Sequence, residues 1–431
     1  MLNSDTEPAA EPPARVCHDD LVRYELDGVE LWDGTAARGA SRIVWEDGRG
    51  EGIRSLEPAD APDPRFDGLS VIPGLIDTHV HLIGYAGAPG GAEFFTWPLT
   101  TRPEEQVLHG LANARAALAA GVTTLRDLSA DDVQFSLGRA LAGGIVDGPR
   151  LLAHGMVGMT GGHADLFTPA AFPIRKPTAD GPDACRRLVR EYARAGADGI
   201  KVATSGGVLS QGDRAAWRNH TDAELDAIVD EAHALGLPVA AHAHSEDGIR
   251  RALDAGVDSI EHATLITAEL AERAAAAGVT VAPTLLINDR IASGDPRYGS
   301  AESAEKARAL VVRRDALLTD AAARGLDFVL GTDANGHHVR FGDEPDELRA
   351  MARVLGWSAE RTLQAATSRA AAAVKRGDTL GKLEAGASAD LVVVRGRPWL
   401  DLDALRPENV VAVVVRGRVL VGALPGGSVI R

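Results

Sequence analysis

"VIPGLIDTHVHL", residues 71–82, begins as an apolar run of strand character and ends by burying Asp77, His79 and His81 in its last turns of chain. In an extended chain residues i and i+2 share a face, so His79 and His81 can converge on one ion from a single strand end. From this run onward, apolar strands alternate with Ala-, Arg- and Glu-rich helical stretches. The further strand candidates are "GVTTLRDL" (121–128), "RLLAHGMV" (150–157), "DGIKVATS" (198–205), "LPVAAHAH" (237–244), "VDSIEHA" (257–263), "VTVAPTLLI" (279–287) and "LDFVLGTDA" (326–334). Helices such as "PEEQVLHGLANARAALAAG" and "TDAELDAIVDEAHALG" separate them, the second opening with Thr221 and Glu224 at capping-box spacing. Eight strand–helix units over about 260 residues predict a (β/α)8 barrel, with a doubly wound sheet as the alternative.

The rest of the 431-residue chain fits around that barrel. Residues 1–20 are rich in Pro, Ala and acid and are expected to be loose. Short strands with Gly and Asp turns in 21–72 and again in 376–431 predict a small β-sandwich built from both chain ends, flanking a barrel over 73–375. The formal net charge of −16 argues against nucleic acid or an anionic membrane as partner. The first 20 residues lack a basic n-region and an apolar h-region, and no apolar run approaches about 20 residues. With only Cys17 and Cys185, and no CxxC, neither a disulfide framework nor a thiolate metal site is expected. The expected location is the cytoplasm and the expected partner a small-molecule substrate.

On such a barrel, chemistry gathers at the C-terminal ends of the strands. There the sequence places His79 and His81 on strand one, Lys201 on strand four, His242 and His244 on strand five, His262 on strand six and Asp333 on strand eight. One strand-end histidine is ordinarily structural; this many at equivalent ends form a borderline N/O donor set that suits Zn²⁺ first, and also Mn²⁺, Co²⁺ or Fe²⁺. Lys201 is the odd member, since an ammonium repels cations. A buried, uncharged amine can instead react with CO₂ to give a carbamate, an anion able to bridge two metals.

These residues resemble the amidohydrolase superfamily, metal-dependent hydrolases on a distorted (β/α)8 barrel, over about residues 21–423. The run "PGLIDTHVHL" carries the resemblance, with "GTDA", "LQAATSRAAA", "LGKLEAGASADLVVV" and "VVVRGRVLV" in agreement. "TGGHAD", "GADGIKVATSGG", "LPVAAHAHSEDGIRRALDAGVDSIEHA" and "LGTDANGHH" are similar to the imidazolonepropionase-related amidase branch, which holds Xaa-Pro and other dipeptidases and ochratoxinase-type amidases. The resemblance implies a binuclear hydrolase and a homo-oligomer. It implies His79 and His81 as ligands of the buried metal, a carboxylated Lys201 as bridge, His242 and His262 as ligands of the outer metal, and Asp333 as ligand and proton shuttle; His244 would face the substrate.

Two cations sharing one water lower its pKa toward neutrality, and Asp333 would take its proton and pass it to the departing amine. His163 in "TGGHAD" could donate to a carbonyl or oxyanion. Tyr85, Trp217, Arg218, His220, Arg290 and His337 stand in or near loops after strand ends and are candidates for substrate contact, the arginines for a carboxylate. "VGMTGG" (157–162) lacks GK[ST], so no nucleotide site is expected. The expected reaction is hydrolysis of a non-cyclic amide such as an N-acyl amino acid or dipeptide. The alternatives are a mononuclear deaminase or imidazolonepropionase-type reaction using Glu246, a carbamate, ester or phosphotriester hydrolase, and a catalytically silent scaffold.

Overall fold

The computed structural model describes residues 22–47, 52–83, 96–173 and 175–426, with the backbone of 429–430. The expected loose segment 1–20, and Tyr85, lie outside the described residues. The first strands are β1 (Arg23–Trp32), β2 (Ala37–Glu46), β3 (Gly52–Pro58) and β4 (Leu69–Pro73). The barrel strands are β5 (Leu75–Val80), β6 (Val122–Ala130), β7 (Arg150–Met156), β8 (Gly199–Ala203), β9 (Val239–Ala243), β10 (Ser259–His262), β11 (Thr280–Ala282) and β12 (Asp327–Phe328). The chain ends with β13 (Leu391–Arg395), β14 (Val410–Val415), β15 (Arg418–Gly422) and β16 (Val429–Ile430).

Both chain ends contribute to one mostly antiparallel sheet, ordered β15-β14-β13-β4-β1-β2-β3 with β16 beside β1. Its "LVVVR" strand β13 is apolar without alternation because it is buried on both sides. Leu391 and Val393 join the core of the small sheet, whereas Val392 and Val394 join the barrel core. Only Gly74 separates β4 from β5. A Cβ there would lie 2.1 Å from Thr123 Oγ1, so the chain can pass from sheet to barrel at that point only on a bare backbone.

β5 to β12 pair in parallel in chain order. β5 and the segment after β12 close the ring, through Thr78 N–H to Leu330 O (2.9 Å), Asp333 N–H to His79 O (2.7 Å) and His81 N–H to Ala334 O (2.8 Å). At the other end of the seam Ile76 and Leu330 donate instead to Ala366 and Ala365, which wedge β5 and β12 apart and distort the barrel. The capping box at Thr221 and Glu224 forms as expected and opens the helix Asp222–Ala234.

Two predicted strands are cut short. The run 279–287 is strand only over Thr280–Ala282; Thr284 takes φ +47 and the chain turns into the helix Leu285–Ala292. The buried Glu347 carboxylate accepts Leu285 N–H (2.7 Å) and Leu286 N–H (2.9 Å), serving helix-start donors that a strand would have spent on its neighbour. The run 326–334 keeps only two residues of ladder, because its remainder bonds across the seam and turns at Asp333, φ +58. No helix of the described residues is long and apolar enough to cross a membrane.

Candidate metal centre

His79 and His81 emerge from β5 on one face, with Asp333 delivered to them by the loop after β12. Their ligand atoms form one group lying within 4.8 Å of one another. Asp333 Oδ1 stands 3.0 Å from His81 Nε2 and 3.6 Å from His79 Nε2. Asp77, two residues earlier, holds the loop in register. Its carboxylate accepts Thr332 N–H (3.1 Å), Thr332 Oγ–H (2.6 Å) and His79 N–H (3.1 Å), and burial pushes its own carboxyl up. The buried Asp of "IDTHVH" is thus a clamp, and the two histidines beyond it are what it positions.

A second group gathers His242, His244 and His262, also with ligand atoms within 4.8 Å. Geometry therefore puts His244 with the two histidines that sequence had separated from it, through ring centroids 4.7 Å from His242 and 4.5 Å from His262. The two groups adjoin, as His79 and His262 lie 5.2 Å apart, centroid to centroid. His262 has φ +72, a conformation rare for a non-glycine residue that occurs at sites where side-chain direction matters more than backbone comfort.

Polar neighbours decide which ring nitrogen each histidine can offer. His79 Nδ1 is 2.9 Å from Glu261 Oε2, a close charge contact without the alignment of a hydrogen bond, and the carboxylate's charge favours a proton on Nδ1 over Nε2. His242 Nε2 is 3.2 Å from the Gly206 carbonyl, so here Nδ1 keeps the lone pair. Nδ1 of His81, His244 and His262 is held by Ser129 Oγ (2.9 Å), Thr264 Oγ1 (2.7 Å) and Thr284 Oγ1 (2.6 Å). Burial draws His79 down to about 4 and His244 to about 3, and holds His242 and His262 well below the ordinary imidazole value. Neutral imidazoles with one nitrogen anchored and the other open are what divalent cations require as ligands. The donor set fits the metal that the fold implies.

Lys201 is 3% exposed on β8. Its charge bears on His79 and Asp333 of one group and on His242, His244 and His262 of the other. Burial lowers its ammonium to about 8, against the pull of Glu261 and Asp333. Burial opposes ionisation of Asp333, yet His79 and His81 hold its carboxyl down to about 2.

Beneath these groups lies a polar layer that the sequence reading did not find. Arg126 on β6 donates to Glu261 Oε1 (2.9 Å), Ser259 Oγ (3.1 Å) and Thr78 O (2.5 Å), all inside the barrel. Burial works against the Glu261 carboxylate, but Arg126 and His79 keep it far below the usual carboxylate range. Arg126, Glu261 and His79 thus form a chain in which a fixed anion orients a metal-facing imidazole. Glu261→Gln is expected to weaken metal affinity about 10- to 100-fold, the usual cost of losing such a partner; chelator competition measures it, and unchanged affinity would reduce Glu261 to a structural role.

The remaining candidates are dispersed. His163 stacks on His242, with ring centroids 4.1 Å apart and planes at 17°. His220 is buried with Nε2 3.1 Å from Val157 O, a bond that ties its loop to the end of β7. Trp217 and Arg218 lie exposed on a loop paired to the end of β8 through Gly206 N–H to Trp217 O (2.8 Å) and a Ser205–Arg218 bridge. Arg290 belongs to the helix after β11 and donates to Asp343 Oδ2 (2.7 Å) and His338 O (2.8 Å). With Arg297, Tyr298, His337, Arg340 and Asp343 it lines a cavity of about 400 Å³. Glu246 is an exposed first-turn residue of the helix Glu246–Ala255 and belongs to neither histidine group.

The amidohydrolase family pattern matches residues 70–420. Ochratoxinase of Aspergillus niger is 28% identical over 366 residues, covering 80% of this chain and 74% of that one. Its crystal structure superposes with a TM-score of 0.81 at 25% identity, over 94% of this chain and 97% of that one. A Xaa-Pro dipeptidase with methionine bound in its active site superposes with a TM-score of 0.81 at 30% identity, over 93% of this chain and all of the other. Imidazolonepropionase of Salinispora tropica is 28% identical over 426 residues, covering 93% of this chain and 91% of that one. With most of its length matched and two histidine groups converging at the closed end of the barrel seam, the chain belongs to the amidohydrolase family.

Proposed function

We propose that this hydrolase of the amidohydrolase family cleaves the amide joining an acyl group to an amino acid, in an N-acyl amino acid or dipeptide with a free carboxylate. The observation that carries the reading is the meeting of the two donor groups, His79, His81 and Asp333 beside His242, His244 and His262, with the buried amine of Lys201 bearing on both. Six such donors exceed what one tetrahedral ion accepts, which supports two divalent cations, Zn²⁺ first. Bound there, they would lower the pKa of a shared water and polarise the scissile carbonyl.

The chain's own residues supply the rest. Asp333, ionised at neutral pH, can accept a proton at Oδ1 and return it to the departing nitrogen. A carboxylated Lys201 would offset the cations' charge. The relatives support the choice of bond: the chain resembles the ochratoxinase-type amidases, and the dipeptidase is named for a peptide bond. The exposed position of Glu246 weighs against the deaminase alternative, which would use an acid beside the β9 histidines.

For the carboxylate, the cavity beside the loop after β12 offers Arg290, Arg297 and Arg340 in a chain whose net charge is −16. Arg290 is partly engaged by Asp343, which leaves its other edge and Arg340 for a ligand; Arg218, exposed on the loop bridged to Ser205, is the alternative cation. Amidating the substrate carboxylate is expected to cost roughly 10- to 150-fold in kcat/KM, the worth of one charge-assisted pair. The test is a matched free acid and amide assayed on wild type, Arg218→Ala, Arg290→Ala and Arg340→Ala. Equal hydrolysis of acid and amide by wild type, or preference for a neutral carbamate, ester or heterocycle, would remove the carboxylate from the proposal.

A further inference from the structure

The peptide unit between Gly206 and Gly207, in the loop after β8, is bonded at both ends. Its carbonyl oxygen, on Gly206, is 3.2 Å from His242 Nε2, and its N–H, on Gly207, donates to Asp213 Oδ2 at 3.1 Å. A planar trans peptide points these two groups in opposite directions, so whatever fixes the N–H also fixes where the carbonyl points. Both positions require a bare backbone. A Cβ on Gly206 would lie 2.2 Å from Arg214 O, and one on Gly207 would lie 2.1 Å from the His163 ring. The Gly206 carbonyl also accepts Ser205 Oγ–H (2.9 Å), whose oxygen takes the His244 main-chain N–H (2.9 Å), so the unit is tied to His244 as well.

Asp213 is itself built in. It is 4% exposed, and its carboxylate accepts Ser210 Oγ–H (2.8 and 2.7 Å) besides Gly207 N–H. Its counter-charge comes from outside the loop: Lys306, on the helix Ala301–Ala323, stands 3.0 Å from Asp213 Oδ1 and donates to Ser210 O (2.7 Å). Glu302, one turn earlier, is 3.1 Å from Lys306 Nζ and accepts Gly212 N–H (3.2 Å). A carboxylate that accepts a peptide N–H polarises that peptide and strengthens its carbonyl as an acceptor. Metal-ligating histidines commonly have a carboxylate or carbonyl behind the ring, as Glu261 stands beside His79. Behind His242 the carbonyl comes first and the carboxylate one peptide further on.

We infer that Asp213 and Lys306 are positioning residues for the group of His242, His244 and His262: across the Gly206–Gly207 peptide they aim and polarise the carbonyl that holds His242 Nε2 and leaves its Nδ1 free for a cation. The inference rests on the two-cation reading of the site and on no particular substrate.

The test reads metal binding and not turnover. Metal-free full-length protein is titrated with Zn²⁺ against a chelator of known affinity, as the parent, Asp213→Asn, Lys306→Met and Lys306→Arg. The parent is expected to bind two ions. Asp213→Asn and Lys306→Met are each expected to weaken one of them about 10-fold, the lower end of the cost of losing a ligating histidine's support, because the carboxylate acts through a peptide. Lys306→Arg keeps the cation and is expected to recover most of that loss. The ion weakened is expected to differ from the one that Glu261→Gln weakens, so that Asp213→Asn combined with Glu261→Gln loses affinity for both. A loop that serves stability alone would lower the melting temperature of the metal-free variants and leave both affinities at parental values. That result overturns the inference, as does an equal fall at both ions in either single variant. Lys306 is 13% exposed, and its Met variant carries the test should Asp213→Asn not fold. A parent that binds fewer than two ions overturns the two-cation reading and this inference with it, whereas two bound ions without cleavage of any amide would sink the proposed reaction alone.

Discussion

Asp333→Asn is expected to fold as the parent does and to lose between about 10² and 10⁴ in kcat, the range typical of general acid–base catalysis. The substitution isolates the proton. Asp333 sits at φ +58, in the left-handed region that Asn tolerates about as well as Asp and better than other side chains, so the backbone turn that delivers it should survive. Its main-chain N–H closes the seam to His79 O and is untouched by the change. Asn also keeps an oxygen able to face His81 Nε2, as Oδ1 does now at 3.0 Å. What disappears is a carboxylate that His79 and His81 keep ionised in spite of burial, and therefore ready to accept a proton at neutral pH. Metal content and kcat measured on the same sample decide the matter. Parental turnover with metal retained would move the base elsewhere, with His244 the first alternative, since its ring lies against His262 in the adjoining group.

Much of this centre is legible in the sequence because strand geometry is periodic. His79 and His81 share a face by the alternation rule, and Lys201, His242 and His262 follow from reading one strand end after another. The polar layer beneath was hidden by the same rule. Glu261 and His262 are neighbours and should face opposite sides of β10, but at φ +72 His262 breaks the alternation, and both side chains reach the site. Arg126 lay inside an apolar run, "GVTTLRDL", and nothing local signals that its partners stand 133 and 135 residues away in Ser259 and Glu261. Length was misread where tertiary bonds outcompete propensity. "VTVAPTLLI" has the β-branched composition of a strand, and it is Glu347, 62 residues beyond Leu285, that turns its second half into a helix. His220, beside Arg218 in sequence, shows the limit of reading loops by proximity, because a main-chain bond to Val157 O buries it at the foot of the loop.

Lys201→Ala is expected to lower kcat by at least on the order of 10², taking the upper cost of losing a metal's supporting ligand as the floor, and to drop bound metal from about two ions per chain toward one. The argument starts from charge. An ammonium at this position would stand among histidines meant to hold cations, and burial has already brought its pKa down to about 8, so an appreciable fraction of the amine is neutral at pH 7 to 8. A neutral amine can add to CO₂: the nitrogen lone pair forms the N–C bond, the nitrogen loses a proton, and an anion with two oxygens replaces a cation. That exchange would reverse the sign of a side chain whose charge bears on both donor groups, and would make a lysine compatible with cations there. Ala removes the amine and leaves space beside the donors, so a short carboxylic acid such as acetate can supply the missing anion from solution. Partial return of both activity and metal with added acetate, absent in the parent, is the expected signature. Growth in ¹³C-bicarbonate should place a carbamate carbon signal in the parent and none in Lys201→Ala. Near-normal turnover of Lys201→Ala, or a parent without that carbon signal at full metal loading, would leave the bridge to some other anion and Lys201 as a buried amine whose role is electrostatic alone.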